Sequence, residues 1–157
     1  MDKLLIKFLE SQNASTITIK DGKKLWPFIV YYAFNENKLY FVSSKNTKHG
    51  KLISQKPMEC AVSIVWHSTQ NLEDRKAIQG QGKLKMLKTI PETLTGMQIL
   101  DKRYPDWKFN LSEVAQFLLK KAIYEIELVY IKYWDDKNLG EDRTKEYIFT
   151  KKKINNV

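Results

Sequence analysis

The chain is short of several residue types, and each shortage excludes something. Its one cysteine, Cys60, lies in the apolar run CAVSIVW, so no internal disulfide can form and the thiol reads as a small buried hydrophobe. A reducing, cytoplasmic compartment is therefore expected. The two histidines, His49 and His67, are far apart in sequence. His67 follows Trp66 at a strand end with no neighbouring His, Cys or carboxylate partner, so no metal site is expected. Arginine is confined to Arg75, Arg103 and Arg143, although the formal net charge is +9, so the positive charge is almost all lysine. Specific base readout leans on the arginine fork, and no helix-turn-helix pattern, zinc spacing or basic heptad is present. A nucleic-acid partner is not expected, and the Lys151-Lys152-Lys153 run reads as a solvated tail. No apolar stretch approaches a membrane span, and the N-terminus lacks a signal peptide's apolar core and small-residue cleavage site. With no Gly/Ser linker and no internal repeat, residues 1–157 read as a single domain.

What the chain does have is aromatic residues in abundance and clear apolar periodicity. Leu4, Leu5, Phe8 and Leu9 fall at helical spacing, so an amphipathic helix opens the chain. Ala14–Lys20 alternates Thr and Ile as a strand does, and Asp21-Gly22 predicts a hairpin turn. Leu25–Phe34 predicts one apolar, aromatic strand, turned by Asn35-Glu36-Asn37 into a strand over Leu39–Ser44. Further strands are predicted over Met58–Trp66, Ala77–Leu87 and Tyr124–Trp134, with a short one over Glu146–Thr150. His67–Arg75 reads as a loop. Gly80 and Gly82 mark a bulge or a close approach within their strand. Pro91 opens a helix to about Tyr104, and Asn110 or Ser112 caps a second one reaching Lys121. This is a mainly β chain of about six to seven strands in meander-like order, for which an antiparallel β-barrel with peripheral helices is the economical architecture.

Both faces of Leu25–Phe34 are large and apolar, so one face should fill the barrel and the other should meet a second subunit. The segment KLYFVSSKNTKHGKL at 38–52 carries the candidate chemistry. Thr47 suits the N-cap of a short helix over Lys51–Gln55 that Pro57 ends, and a helix N-terminus attracts phosphate. Lys45, Lys48, Lys51 and His49 add donors, and no acidic residue lies between Lys38 and Lys56. Two readings stay open: a phosphate site, or a solvated basic loop. His49 is likewise either a phosphate partner or a surface histidine. Trp26, Trp66, Trp107 and Trp134 read as core or interface aromatics, one of which could cover a ring ligand. Asp135-Asp136 and Glu141-Asp142 flank Gly140 without calcium-loop spacing and read as a solvated turn. No general base stands out, which agrees with chemistry carried by a cofactor.

Three segments, PFIVYYAFNENKLYFVSSKNTKHGKL at 27–52, CAVSIVWH at 60–67 and IQGQGKLKML at 78–87, resemble the pyridoxamine 5′-phosphate oxidase-like, FMN-binding split-barrel superfamily. YEIELVYIKYWDDKNLGEDR at 124–143 resembles the last long strand of an uncharacterised branch. The resemblance implies an antiparallel split β-barrel that forms a homodimer with FMN in a groove between subunits. It implies that Thr47, Lys48 and His49 hold the 5′-phosphate. Ile29, Val30, Tyr31 and Tyr32 would line the isoalloxazine edge, and Val42 and Ser43 would face the ring or ribityl chain. The departures also carry meaning. The family's basic Arg-Lys pair is Lys48-His49 here. Its Arg-x-Val-Leu-Leu-Lys strand begins with Pro27 and ends with Tyr32, and its C-terminal Arg-x-His has no match in Tyr133–Arg143. Pyridoxamine phosphate oxidase activity is therefore not expected. The resemblance implies instead a flavin-dependent oxidoreductase acting on a small substrate, with a reduced nicotinamide as a candidate donor. The alternative is a non-enzymatic FMN- or haem-binding protein on the same scaffold.

Overall fold

The computed structural model describes residues 2–67, 70–71, 74–107 and 118–149. Alternation of side chains sets the sheet. β1 (Ala14–Asp21) turns Ile17 and Ile19 inward and Thr16 outward, and it pairs antiparallel with β2 (Lys24–Tyr31). The hairpin turn between them places Gly22 at φ +60°, the left-handed region that glycine enters without steric cost.

At Tyr32 the chain changes partner. Tyr32 N–H donates to the Asn13 carbonyl, whereas Ala33 already faces Tyr40 on another strand, β4 (Lys38–Ser44). The expected single strand over Leu25–Phe34 is therefore two, β2 and β3 (Ala33–Asn35), and eight strands are present among the described residues rather than about seven. The physical cause is the buried Tyr32 side chain, whose hydroxyl donates to Leu9 O at 2.7 Å and pins the bend under the first helix, α1 (Lys3–Ser11).

The remaining strands are β4 (Lys38–Ser44), β5 (Met58–His67), β6 (Arg75–Met86), β7 (Lys121–Asp135) and β8 (Thr144–Ile148). Their order in the sheet is β2-β1-β5-β6-β7-β4-β3, with β8 on the side of β7. This corrects the meander-like order. β1 pairs with β5, and β4 pairs with β7, across long stretches of chain. Because β3 continues β2, the sheet returns on itself through the backbone, with no ladder joining β2 to β4. The gap between those two strands is the split. Inside lie Ile17, Leu39, Phe41, Val62, Ile64, Ile78, Tyr124 and Leu128.

β6 and β7 shift register between Gln81 and Gly82, so the bulge expected near the glycines is present. A Cβ on Gly82 would stand 2.6 Å from Ile126 Cγ2 and 2.9 Å from Glu127 O, so the bulge holds the strands too close for any side chain there. The β5–β6 ladder extends to His67 and Arg75, which shortens the loop expected over His67–Arg75.

α1 seals one end of the barrel with Leu5, Phe8 and Leu9. α2 (Lys48–Gln55) starts three residues earlier than expected because Thr47 caps it directly. α3 (Ile90–Arg103) begins with Thr89 and Glu92 in a capping box, and it packs Met97 and Leu100 over Tyr40 and Ile123. The helix expected from Asn110 or Ser112 lies mostly outside the described residues. Residues 118–120 are helical, and Lys121 already begins β7. The Lys151–Lys153 tail lies outside them too, and β8 begins at Thr144, two residues earlier than expected. Among the described residues no helix is long and apolar enough to cross a membrane.

Candidate functional site

The split between β2 and β4 is filled by the first turn of α2. Thr47 Oγ1 accepts from Gly50 N at 3.0 Å and donates to Ser44 O at 2.8 Å, so the helix starts tight against the end of β4. Gly50 is needed for that contact. A Cβ there would run into the Ser44 carbonyl oxygen and stand 3.0 Å from Lys45 O and Thr47 Oγ1. Lys51 N donates to Thr47 O, which leaves the first-turn amides of Lys48 and His49 outside the helical ladder.

The two side chains of that turn bridge the split. Lys48 Nζ lies 2.8 Å from Asp21 Oδ2 at the end of β1 and 4.4 Å from the centre of the Trp26 ring on β2. The His49 ring stacks on Phe28 of β2 at 4.0 Å and 7°, and its Nε2 is 2.7 Å from Ser43 Oγ of β4. Burial pushes the His49 pKa below the ordinary histidine value, so the ring is neutral near pH 7. Phe28 lies 6.3 Å from Phe41, which stacks on Tyr124 at 5.1 Å. The His49–Phe28–Phe41–Tyr124 row thus runs from the split into the barrel. Two buried donors near this row have no hydrogen-bond partner, Trp26 Nε1 and the Tyr124 hydroxyl.

The expected site residues therefore separate into groups. Thr47, Lys48, His49 and Ser43 come together at the split. Ile29 and Tyr31 point outward from β2 and are 74% and 63% exposed, in one row with Leu25 at 72%. Val30 and Tyr32 are buried in the core, so only their backbones can reach a ligand. Val42 packs at the edge of the cluster under α3. Lys45 is drawn away, donating to Leu118 O at 2.6 Å.

Sequence reasoning missed Asp21 and Phe28 as parts of the site, and it read Trp26 as one of four core or interface aromatics that could cover a ring ligand. Asp21 reads only as a turn residue, and its pairing with Lys48 depends on β1 and α2 meeting in space. The missing acid in Lys38–Lys56 is supplied from another strand. Outward from β1 and β5, Thr16, Thr18, Ala61 and Ser63 floor a groove of about 410 Å³ that Gln79, Gln81 and Tyr130 border, and the small floor leaves room for a flat group or a second surface.

The fold recurs in solved structures. A FAD-binding protein from Mesorhizobium loti superposes with a TM-score of 0.63 at 17% identity, covering 83% of this chain and 92% of that one. A Listeria innocua protein provisionally assigned as a pyridoxamine 5′-phosphate oxidase gives 0.64 at 14%, covering 83% and 94%. The fold is the pyridoxamine 5′-phosphate oxidase-like split barrel. An FAD and heme binding protein from Mycobacterium smegmatis shares the split barrel with a TM-score of 0.62 at 10% identity, covering 82% of this chain and 71% of that one. By sequence, a UPF0306 protein from Yersinia enterocolitica is 28% identical over 121 residues, 71% of this chain and 80% of its own. A UPF0306 protein from Campylobacter jejuni is 26% identical over 135 residues, covering 85% and 88%. No family model matches the chain.

The split fits an anionic, ring-bearing cofactor in its donor set. Trp26 Nε1 is a buried donor without an acceptor, the Lys48 ammonium lies over its ring, and the first turn of α2 carries two amides outside the helical ladder, a donor set that suits phosphate oxygens. The exposed apolar row on β2 suits a flat aromatic ring. The fit has one constraint. Lys48 already pairs with Asp21, so its charge toward a phosphate is partly neutralised.

Proposed function

We propose that this protein is a homodimeric, cytoplasmic flavoprotein that binds FMN non-covalently and works as an oxidoreductase on a small substrate. The observation that carries this reading is a juxtaposition at the split. The basic first turn of α2 and the unpartnered Trp26 Nε1 lie on one face of β2, and the other face of the same strand exposes the apolar row Leu25, Ile29 and Tyr31. Structures sharing the fold whose names record FAD or heme binding support a cofactor of this kind.

Lys48, the amides of Lys48 and His49, and Trp26 Nε1 would receive the 5′-phosphate. Ile29, Tyr31 and the backbones of Val30 and Tyr32 would border the ring, and Ser43 with Val42 would face its ribityl side. Thr47 would act by fixing the start of α2. His49, neutral and stacked, would position Phe28 and Ser43 and supply no positive charge. Bound FMN supplies hydride and single-electron transfer, and a reduced nicotinamide is the proposed donor. A second copy of the chain would cover the apolar row, which as an exposed patch is unusual for a monomer.

The test is a titration of the purified protein with FMN and with riboflavin, followed by light scattering. FMN should bind at least tenfold more tightly than riboflavin, because charge-assisted contacts to phosphate are the stronger class. Lys48→Ala should weaken FMN about tenfold, about 1.4 kcal/mol, at the low end for charged hydrogen bonds because Asp21 shares the ammonium. The mass should be twice 18.5 kDa. Equal binding of FMN and riboflavin, or a haem-coloured sample, would rule out the FMN assignment, and a monomer with FMN bound would rule out the intersubunit groove.

A further inference from the structure

A second cavity lies at the opposite end of the barrel, between α1 and the ends of β5, β6 and β7. It measures about 440 Å³, within the range of small-molecule sites. Its floor is aromatic. Phe8 and Tyr133 are buried with ring centres 5.5 Å apart, and Trp66 forms a side wall. Two lysines stand at its edge, Lys7 on α1 and Lys76 on β6.

The charge at this mouth is poorly answered by the protein. No carboxylate among the described residues lies within ion-pair reach of Lys7. Among the described residues the one carboxylate that Lys76 approaches is Asp135, at 4.0 Å. Asp135 does not depend on that contact, because it accepts from the Tyr133 hydroxyl at 2.7 Å, from the Asn138 side chain at 2.9 and 3.0 Å, and from the amides of Lys137 and Asn138 at 3.1 Å. Lys76 instead sits 5.7 Å over the Trp66 ring, on the aromatic wall of the cavity.

From this arrangement we propose that the cavity binds a small planar aromatic carboxylate. The flat apolar body lies on Phe8, Tyr133 and Trp66, and the carboxylate lies between the ammonium groups of Lys7 and Lys76. Lysines give a point charge without arginine's planar fork, which suits a single carboxylate at a wet rim. The cavity is independent of the split: no residue is shared between them, and α1 and α2 cap different ends of the barrel.

The probe is 2-naphthoate, with 2-naphthamide as its neutral isostere, titrated calorimetrically into the full chain. The acid should bind saturably at one site per chain and at least about fivefold more tightly than the amide. Lys7→Gln and Lys76→Gln should each weaken the acid about three- to fivefold, the upper range for a partly exposed ion pair, and leave the amide unchanged. The double variant should bind acid and amide alike. Lys48→Ala, at the split, should leave 2-naphthoate binding unchanged, and saturating FMN should not displace it. Absent saturable binding, equal affinity for acid and amide in the parent, or competition by FMN would each overturn the assignment. The parent's preference for acid over amide decides the matter even if a lysine variant proves unstable.

Discussion

Replacing Gly50 by alanine tests whether α2 is wedged into the split as tightly as the structure shows. In an exposed helix interior this change stabilises by about 1 kcal/mol, because alanine is the better helix former. At Gly50 the sign should reverse. The new methyl would meet the Ser44 carbonyl oxygen and lie 3.0 Å from Lys45 O and Thr47 Oγ1. The first two are backbone atoms of the β4–α2 connection, so relief requires the helix to move as a body. Overpacking of this kind costs about 1–3 kcal/mol, and the displacement also strains the Thr47 cap and the 2.7 Å contact between His49 and Ser43. The strained cap offsets most of the propensity gain of about 1 kcal/mol, so the expected net loss is about 1–2 kcal/mol. For a domain of this size that is a fall in Tm of about 2–8 °C. The assay is thermal unfolding followed by circular dichroism, without ligand. A variant melting at or above the parent temperature would refute the tight seating of α2 and, with it, the geometry of the split.

Two further outcomes follow from burial. Unfolded His49 takes up a proton near pH 6.5, whereas the folded ring, desolvated against Phe28, does so only at lower pH. Between those values the unfolded state binds more protons, so stability is fully present above about pH 6.5 and falls as the pH drops through that window. The stability difference between parent and His49→Phe, measured by denaturant melts from pH 8 to 5, should therefore change over that window, and a pH-independent difference would contradict the buried neutral ring. Cys60 is buried with its thiol pushed up to about 12, so a thiol reagent at pH 8 should modify it only in denaturant, and rapid labelling of the native protein would contradict its place in the core.

Period-two alternation and turn chemistry determined most of the elements by themselves. Strands over Ala14–Lys20 and Met58–Trp66 are legible because each buries one face, and a slip of one residue would turn that face to water. Leu39–Ser44 is legible instead as an apolar run after a turn, with Leu39 and Phe41 in the barrel and Tyr40 under α3. Asp21-Gly22, Thr47 and Pro91 punctuate the chain through local backbone physics, and each stands where that physics puts it. The likeness of 27–52 to the split barrels was also legible, since the segment's order survives without its tertiary setting.

Tertiary structure decided the rest. Tyr32 ends β2 because its ring is buried beneath α1 and its hydroxyl reaches Leu9 O, a contact between residues 23 positions apart. The pairing of β1 with β5 and of β4 with β7 depends on which apolar faces can close a barrel together, and no local pattern encodes that. The same holds at the site. The chain shows Lys48 and His49 as two basic neighbours, but space gives Lys48 an aspartate and a tryptophan, and it gives His49 a phenylalanine and a serine. Charge is a property of the residue, whereas its availability to a ligand depends on solvent and partners, and those are fixed only when strands distant in sequence meet.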